Sequence, residues 1–309
     1  MPERPVLFAS KYHTLDNGKR IRYAIFEPER VRGTFLISPG RREFIEKKYA
    51  ELGPQLLERG FRLIFFEWRG QGLSDRWLSG PHRQRDHIES FDTHLDDLSS
   101  FYKKVVLPAK SGPLLVYGHS LGGHLTLRWL AERQHTDIAA AFVTAPMLAL
   151  ASSMVHTTAR ALSWTAAHLG HDADYAAAQH DYNASDREFK GNPLSHDPER
   201  FAVMEKYFLA YPDLTVGGVT WGWLEASLKS IHLVQHRKYF EKLDPPVLAI
   251  VGGVDHVTPT AELARFLKRL PKCETIVIPN ALHDVMNETD GIRITAWGEI
   301  DRFLERILS

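Results

Sequence analysis

A serine between two glycines is the first feature of the chain that could carry out chemistry. Residues 118–122 read Gly-His-Ser-Leu-Gly, with Ser120 at the centre, after an apolar strand pattern and before a helical pattern. If the serine occupies a tight turn between strand and helix, side chains at Gly118 and Gly122 would collide with neighbouring backbone. The pattern therefore predicts a nucleophilic serine, with a purely structural turn as the alternative.

A serine hydroxyl becomes a useful nucleophile when a histidine takes its proton and a carboxylate orients that histidine. Asp255 follows a buried-strand pattern at residues 246–251, and His283 follows the next strand pattern. Nucleophile, acid and base in this chain order are typical of serine enzymes with a strand-turn-helix nucleophile. His256 is the alternative base, but adjacent residues of one loop rarely point at a common partner. The order predicts a triad of Ser120, Asp255 and His283.

Acyl transfer by a serine also requires two N–H donors that stabilise the negatively charged oxygen of the tetrahedral intermediate. One donor would be the backbone N–H of Leu121, directly after the serine. The strand pattern at residues 34–37 opens into a loop at residues 38–43, where Gly40 permits a close backbone approach. The backbone N–H of Arg41 is then the predicted second donor, and a simple turn is the alternative for this loop.

The elements that must position these residues alternate between strands and helices. The alternation covers about residues 8–146 and resumes at residue 246, a rhythm typical of a doubly wound, mostly parallel sheet. Between these parts, helical patterns rich in Ala, Trp, Tyr and His replace the strands. We therefore expect an α/β core formed by residues 1–146 and 241–309, with a helical cap inserted at residues 147–240.

An apolar series opens the predicted cap. Met147, Leu148 and Met154 are its candidate substrate-binding residues, because an apolar wall is the usual way to hold an apolar ligand. The alternative is that these side chains pack the cap onto the core.

Taken together, the motifs resemble the α/β-hydrolase superfamily and, within it, the group of lysophospholipase L2 and monoacylglycerol lipase. The resemblance covers nearly the whole chain and is carried by Ser-Pro-Gly-Arg-Arg-Glu at 38–43, Glu-Trp-Arg-Gly-Gln-Gly-Leu-Ser-Asp at 67–75, His-Ile-Glu-Ser-Phe-Asp at 87–92, Asp-Asp-Leu at 96–98, Gly-His-Ser-Leu-Gly-Gly at 118–123, Asn-Pro-Leu-Ser-His-Asp-Pro-Glu-Arg-Phe at 192–201, Gly-Gly-Val-Asp at 252–255 and Ala-Leu-His-Asp at 281–284.

Two positions depart from the monoacylglycerol lipase pattern. Pro39 stands where those lipases usually carry histidine, which favours the lysophospholipase branch. Asp284 stands where many members carry glutamate, a change that keeps the charge and leaves the triad intact.

The resemblance implies a serine hydrolase that cleaves the fatty-acyl ester of lysophospholipids through an acyl-enzyme intermediate. The substrate would be a lipid or another small ester, and no cofactor would be required. A monoacylglycerol lipase and a general carboxylesterase, thioesterase or peptidase are the catalytic alternatives. A ligand-binding protein on the same fold is the non-catalytic alternative, and the intact triad argues against it.

Composition narrows the classes of partner. The 309 residues include 38 Lys and Arg against 38 Asp and Glu, so the formal net charge is zero and gives no electrostatic case for nucleic-acid binding. The single cysteine, Cys273, excludes an intrachain disulfide framework and a multi-cysteine metal site. The histidines and aspartates within residues 168–174 match no standard ligand spacing, and we expect no metal.

The expected location follows from two absent sequence patterns. The N-terminus has no basic region followed by a sustained apolar stretch, so we expect no secretory signal. No window reaches the roughly 20 apolar residues of a spanning helix. We expect a cytoplasmic protein with transient peripheral contact with a membrane surface, and the oligomeric state stays open. The charged loop at residues 82–87 is expected to be a solvated surface rather than a phosphate site.

Overall fold

Eight strands form one sheet in the part of the chain that the structure describes. The structure is a computed structural model that describes residues 4–133, 137–151 and 153–309, except the side chains of residues 153–157, 159 and 186. The strands are β1 (Lys11–Thr14), β2 (Arg20–Phe26), β3 (Gly33–Ser38), β4 (Phe61–Phe66), β5 (Leu114–His119), β6 (Ile138–Thr144), β7 (Val247–Gly252) and β8 (Cys273–Ile278).

The strand order is β1-β2-β4-β3-β5-β6-β7-β8, which places β5 and its following serine near the middle of the sheet. β1 pairs antiparallel with β2, and β2 pairs antiparallel with β4. The other neighbouring strands are parallel. The predicted mostly parallel sheet is therefore confirmed, with an antiparallel edge formed by the first two strands.

The helices flank this sheet or lie between its sixth and seventh strands. They are α1 (Ile45–Glu58), α2 (Phe91–Phe101), α3 (Leu107–Ala109), α4 (Leu121–Arg133), α5 (Ser153–His168), α6 (Pro198–Ala210), α7 (Trp221–Val234), α8 (Thr260–Leu267) and α9 (Asp290–Leu308). A π-helical turn at Tyr102–Val106 joins α2 to α3, and 3-10 turns cover Gly80–His82, Ala184–Asp186, Pro212–Leu214 and Val285–Asn287. None of the described helices combines the length and the apolar composition that crossing a bilayer requires.

Two hydrophobic layers cover the two faces of the sheet. In β3, Phe35 and Ile37 pack in the cluster that includes α1 and α9, whereas Leu36 packs in the cluster that includes α2, α4 and α8. This alternation follows from the period of two along a strand. Because β3 and β5 are buried along their whole length, each contains a run of apolar residues rather than an alternating pattern, at 35–37 in β3 and 114–117 in β5. The doubly wound α/β-hydrolase fold is confirmed.

The segment between β6 and β7 contains helices α5, α6 and α7 and none of the eight sheet strands. Trp223 and Ile231 of α7 belong to the same hydrophobic cluster as β5 and α4. Part of this segment is therefore packed into the core itself. The division into a core of residues 1–146 and 241–309 with a cap at residues 147–240 stays a prediction.

Candidate active site

Ser120 occupies a strained turn between β5 and α4. Its φ angle is 49°, in the left-handed region that non-glycine residues rarely adopt. The backbone N–H of Ser120 donates to the carbonyl of Thr144 at 2.9 Å, and its carbonyl accepts from the N–H of Met147 at 3.0 Å. A side chain at Gly122 would collide with the carbonyl oxygen of Ser38. The glycine is therefore required where the turn presses against the loop after β3.

The three predicted triad side chains meet at the carboxyl ends of the parallel strands. The Nε2 atom of His283 lies 3.0 Å from the Oγ atom of Ser120. The Nδ1 atom of His283 lies 2.8 Å from the Oδ2 atom of Asp255. These two contacts align hydroxyl, imidazole and carboxylate in the order that proton transfer from the serine requires. His256, the alternative base, is exposed to solvent.

Asp255 is held in the ionised form that can orient the imidazole. Burial opposes ionisation of the Asp255 carboxyl, but the contact with His283 and hydrogen bonds from Thr258 outweigh it and lower the pKa of Asp255. The Thr258 hydroxyl donates to Oδ2 at 2.6 Å, and the backbone N–H groups of Val257 and Thr258 donate to Oδ1 at 2.8 and 3.0 Å. A buried carboxylate with this many donors presents a stable negative charge to His283.

The loop after β3 is braced from three sides. The backbone N–H of Gly40 donates to the Oε2 atom of Glu43 at 2.5 Å. The indole N–H of Trp68 donates to the carbonyl of Pro39 at 2.9 Å, and the backbone N–H of Arg42 donates to the side chain of Gln71. A side chain at Gly40 would come within 2.9 Å of His119. The backbone N–H groups of Arg41 and Leu121 stay the predicted oxyanion donors.

Beneath this loop lies a buried group of charges that the sequence analysis did not identify. We define this lysine cluster as Glu43, Lys47, Lys48, Glu51 and Asp284, all of them buried. The Nζ atom of Lys47 lies 2.7 Å from Glu43 and 2.9 Å from Asp284, and it also pairs with Glu51. The Nζ atom of Lys48 lies 2.8 Å from Glu43 and also pairs with Glu51. The spacing of Glu43, Lys47 and Glu51 by four residues was the available signal.

The lysine cluster joins the oxyanion loop to the loop of the predicted base. Asp284 directly follows His283, and Glu43 binds Gly40, so Lys47 connects the two loops. Burial opposes ionisation of the Glu43 carboxyl, but the two lysines outweigh it and lower the pKa of Glu43 to about 2. The same balance lowers the pKa of Asp284. Both carboxylates are therefore charged at neutral pH.

Glu43, His119 and Asp284 are also the residues best placed to hold a cation. One ligand atom of each lies within 4.8 Å of the other two. The ammonium group of Lys47 already lies between the carboxylates at ion-pair distance, and Lys48 adds a second positive charge. Burial lowers the pKa of His119 to about 4, so its imidazole is neutral near pH 7 and bonds to Thr144. The charge of this group is thus balanced by the protein itself.

The segment at residues 192–201, one of the more particular parts of the family resemblance, holds the loop of the predicted base. The backbone N–H of Asp284 donates to the carbonyl of Leu194 at 2.9 Å. The hydroxyl of Ser195 donates to the carbonyl of Asn287 at 2.6 Å. Glu288 accepts from the backbone N–H of His196 at 2.9 Å. This segment therefore positions the loop that carries His283.

A cavity of about 230 Å³ opens at Ser120 and His283. Its apolar wall includes Leu194, Phe201 and Met204, which lie in or next to α6. Ligand pockets typically measure about 300–1,000 Å³, so this cavity is smaller than a typical small-molecule site.

Two of the three predicted substrate-binding residues, Met147 and Leu148, are not among the residues that line this cavity. Met147 and Leu148 are buried in the hydrophobic core with β5 and α4, and the Leu148 carbonyl accepts from Gln235 at 2.9 Å. The side chain of Met154 lies outside the described residues. Contact of these residues with an acyl chain stays a prediction. The sequence did not single out Leu194, Phe201 and Met204, because apolar residues of a helix that covers a site look like ordinary core residues.

Three arginines form the basic wall of the cavity. We define this arginine cluster as Arg41, Arg42 and Arg187, and all three side chains are partly buried. The Nε atom of Arg41 donates to Asp86 at 2.7 Å. The expectation of a solvated loop at residues 82–87 is wrong for Asp86 and its neighbour His87, because both are buried.

Comparison with known proteins gives the family. Residues 29–290 match the family model Hydrolase_4, described as serine aminopeptidase S33. Lysophospholipase L2 of Escherichia coli (strain K12) is 28% identical over 308 residues, covering 93% of this chain and 84% of that protein.

Two solved structures share the fold at lower identity. A soluble variant of monoglyceride lipase from Saccharomyces cerevisiae, in complex with a substrate analog, has a TM-score of 0.76 at 19% identity, covering 97% of this chain and 95% of that chain. A thermostable carboxyl esterase from Bacillus coagulans has a TM-score of 0.76 at 16% identity, covering 99% and 100%. The chain therefore belongs to the serine aminopeptidase S33 family, and it is a serine hydrolase with the α/β-hydrolase fold that resembles lysophospholipases and monoglyceride lipases.

Proposed function

We propose that this hydrolase cleaves the fatty-acyl ester of lysophospholipids by way of an acyl-enzyme on Ser120. The observation that carries the proposal is the hydrogen-bonded series from Ser120 through His283 to Asp255, at 3.0 and 2.8 Å. A serine hydroxyl in this arrangement can lose its proton to the imidazole as it attacks a carbonyl carbon.

The reaction proceeds in two acyl transfers. His283 takes the hydroxyl proton while the Ser120 oxygen bonds to the ester carbon, and the carbonyl electrons move onto the oxygen. The backbone N–H groups of Leu121 and Arg41 stabilise that oxyanion. The C–O bond to the glycerol then breaks, and the leaving alcohol takes the proton from His283. Water repeats the sequence and releases the fatty acid, while Asp255 keeps the imidazole oriented throughout.

The preference for a lysophospholipid rests on two supports. Lysophospholipase L2 of Escherichia coli is similar over nearly the whole chain. The arginines in the cavity wall suit a substrate with an anionic group next to its ester. Monoacylglycerol and simple carboxylic esters are the alternative substrates, because they require the same triad and no anionic contact.

The family description also raises an aminopeptidase as a second candidate. Such an enzyme must bind the ammonium group of a peptide N-terminus, which requires a free carboxylate near the nucleophile. The described carboxylates in the cavity wall, Glu43 and Asp284, are both bound to Lys47. Aminoacyl p-nitroanilides are therefore expected to be poor substrates.

The test is a Ser120→Ala variant assayed on lysophosphatidylethanolamine, monoacylglycerol and p-nitrophenyl octanoate. We expect kcat to fall by at least about 10⁴-fold on every ester that the wild type hydrolyses. A fluorophosphonate probe should label the wild type and a Ser79→Ala control, in which an exposed serine is removed, but not Ser120→Ala. Ester hydrolysis that survives in Ser120→Ala would refute the mechanism. A strong preference for p-nitrophenyl octanoate over both lipids would refute the lysophospholipid assignment.

A further inference from the structure

The arginine cluster places three positive charges beside the nucleophile and the base. Arg41 and Arg42 belong to the loop after β3, and Arg187 belongs to the segment between β6 and β7. All three line the cavity that contains Ser120 and His283. Mutual repulsion between these like charges disfavours the fold. Their grouping in one cavity wall, from two distant parts of the chain, therefore calls for an explanation.

Aromatic rings cover one face of each guanidinium in the arginine cluster. The distances from Cζ to ring centroid are 5.5 Å for Arg41 over Trp223, 5.9 Å for Arg42 over Tyr182 and 4.9 Å for Arg187 over Phe201. Stacking satisfies the flat face of a guanidinium and leaves the N–H groups on its edge available. The rings therefore help to orient the three arginines while the N–H groups on the edge of each guanidinium remain for hydrogen bonds.

The three arginines differ in how their charges are compensated. Arg41 is paired with Asp86 at 2.7 Å. Arg42 donates from Nε to the carbonyl of Val216 at 2.7 Å, and the buried Nε atom of Arg187 has no hydrogen-bond partner among the described residues. No carboxylate whose side chain is described lies at ion-pair distance from Arg42 or Arg187. Within the described part of the chain, two of the three guanidinium groups thus have no carboxylate at ion-pair distance.

The nearby carboxylates are engaged elsewhere. Glu43 and Asp284 line the same cavity, but both are bound to Lys47. Glu205 accepts a hydrogen bond from the hydroxyl of Tyr182. None of the three carboxylates lies at ion-pair distance from Arg42 or Arg187.

The surroundings of Arg42 disfavour its positive charge. Burial, together with the neighbouring charges of Arg41 and Arg187, lowers the pKa of the Arg42 guanidinium to about 9. A group that remains protonated at neutral pH in such surroundings is stabilised when an anion binds to it. The site therefore has an electrostatic preference for an anionic ligand over an uncharged one.

We propose that Arg42 and Arg187 bind the phosphate of a glycerophospho substrate whose acyl ester lies at Ser120. This inference rests on the proposed function, and it adds the two side chains that would distinguish a lysophospholipid from a monoacylglycerol. Phosphate oxygens match the planar N–H fork of arginine, and two forks can hold one phosphate from two sides. Because the arginines come from different parts of the chain, the phosphate would also bridge those parts.

The test compares two substrates with the same octanoyl chain, the 1-acyl lysophosphatidic acid and the uncharged monoacylglycerol, both delivered as soluble monomers. The measured quantity is the ratio of their kcat/KM values. In Arg42→Met and in Arg187→Met we expect the ratio to fall about 10- to 100-fold, since each change removes charge-assisted hydrogen bonds to phosphate. The variant Arg187→Lys should recover part of the ratio, because it keeps the charge but not the fork.

The matched control is Arg302→Gln, which removes one positive charge from an exposed arginine of α9 outside the cavity wall. Its ratio should equal that of the wild type. Because two arginines are tested, the proposal can still be judged from one variant if the other does not fold. A wild-type ratio in both Arg42→Met and Arg187→Met would overturn the subsite. If Ser120→Ala retained ester hydrolysis, the proposed function would fail instead.

A competition assay separates a head group from free phosphate. Glycerol 3-phosphate should inhibit the hydrolysis of p-nitrophenyl octanoate by the wild type, and inhibition should weaken at least about 10-fold in Arg187→Met. Inhibition by inorganic phosphate at equal strength would assign the arginines to free phosphate and would overturn the head-group assignment.

Discussion

The lysine cluster and the arginine cluster both contribute residues to the cavity at Ser120 and His283, but the charges of the two clusters are compensated differently. In the lysine cluster, each ammonium group contacts at least two carboxylates, and every member is buried. In the arginine cluster, one guanidinium is paired and two have no described carboxylate at ion-pair distance. The first arrangement suits a fixed support, and the second suits a surface that completes its charge balance with a ligand.

The largest expected effect is a loss of stability when the lysine cluster loses a charge. Lys47→Met leaves Glu43, Glu51 and Asp284 with only Lys48 to compensate them in a buried site. Breaking a buried ion pair from one side typically costs about 3–5 kcal/mol, and we expect a loss of that size in the free energy of unfolding. Urea denaturation measures it, with Lys206→Met on the exposed face of α6 as the control. A loss below about 1 kcal/mol would show that the cluster does not stabilise the fold.

A smaller effect, on catalysis, is expected when the lysine cluster loses its contact with the loop after β3. In Glu43→Gln, one amide oxygen must replace two carboxylate oxygens that accept from Gly40 and from the lysines. The NH2 group of the glutamine, itself a donor, then faces either the N–H of Gly40 or the lysine ammonium groups. We expect kcat to fall about 10- to 100-fold with little change in KM, because the loop carries a predicted oxyanion donor.

Glu51→Gln is the matched control for that change. It removes one carboxylate from the same lysine cluster, but the described contacts of Glu51 do not include the oxyanion loop. Equal losses of kcat in Glu43→Gln and Glu51→Gln would mean that the cluster acts on stability alone.

The pH dependence of stability gives a further distinction between the two clusters. The folded pKa of Glu43, about 2, lies below the ordinary value of about 4.3. A lowered carboxylate pKa stabilises the fold above the ordinary value, and this stabilisation is lost as the pH falls towards the folded pKa. The stability difference between wild type and Glu43→Gln should therefore shrink to roughly half between pH 6 and pH 3 in urea denaturation. A constant difference would contradict the lowered pKa.

The smallest expected effect is on stability when the arginine cluster loses a charge. Arg42→Met removes a guanidinium that has no ion-pair partner in the described structure, so we expect the free energy of unfolding to change by less than about 1 kcal/mol. Arg22→Met is the matched comparison, because Arg22 is fully buried and paired with Glu46 and Glu67. We expect it to lose about 3 kcal/mol or more. Equal losses in both variants would remove the distinction between the clusters.

Local sequence patterns were sufficient to predict the strands that precede the candidate site residues. The strand patterns before Ser120, Asp255 and His283 correspond to β5, β7 and β8. The buried strands β5 and β7 are recognisable because a buried parallel strand has a run of apolar residues bounded by turn residues. The motif also indicated the need for glycine at position 122, but the backbone that a side chain there would strike belongs to Ser38, which is distant in sequence. The antiparallel placement of β1 and β2 was not evident, because strand pairing depends on distant partners.

Side-chain surroundings were predicted less well than elements. The loop at residues 82–87 reads as polar, but Asp86 is buried because Arg41 and the backbone of Gly218 and Thr220 bind it. The backbone N–H of Met147, a predicted pocket residue, donates to the carbonyl of Ser120, and its side chain is buried in the core, which the sequence pattern did not reveal. Polarity along the chain does not reveal which distant segment will cover a residue.

The sequence by itself determined the class of fold and the three residues that meet as serine, histidine and carboxylate. Those features depend on short motifs and on the order of strands, which are local properties. Only the tertiary structure decided how the charges around the triad are balanced. Lys47 meets Asp284 across 237 positions of sequence, and Arg187 joins the arginines that follow β3. Such long-range contacts decide whether a charged side chain stabilises the fold or is available to bind a ligand, because the energy of a charged group depends on its partners and on its burial.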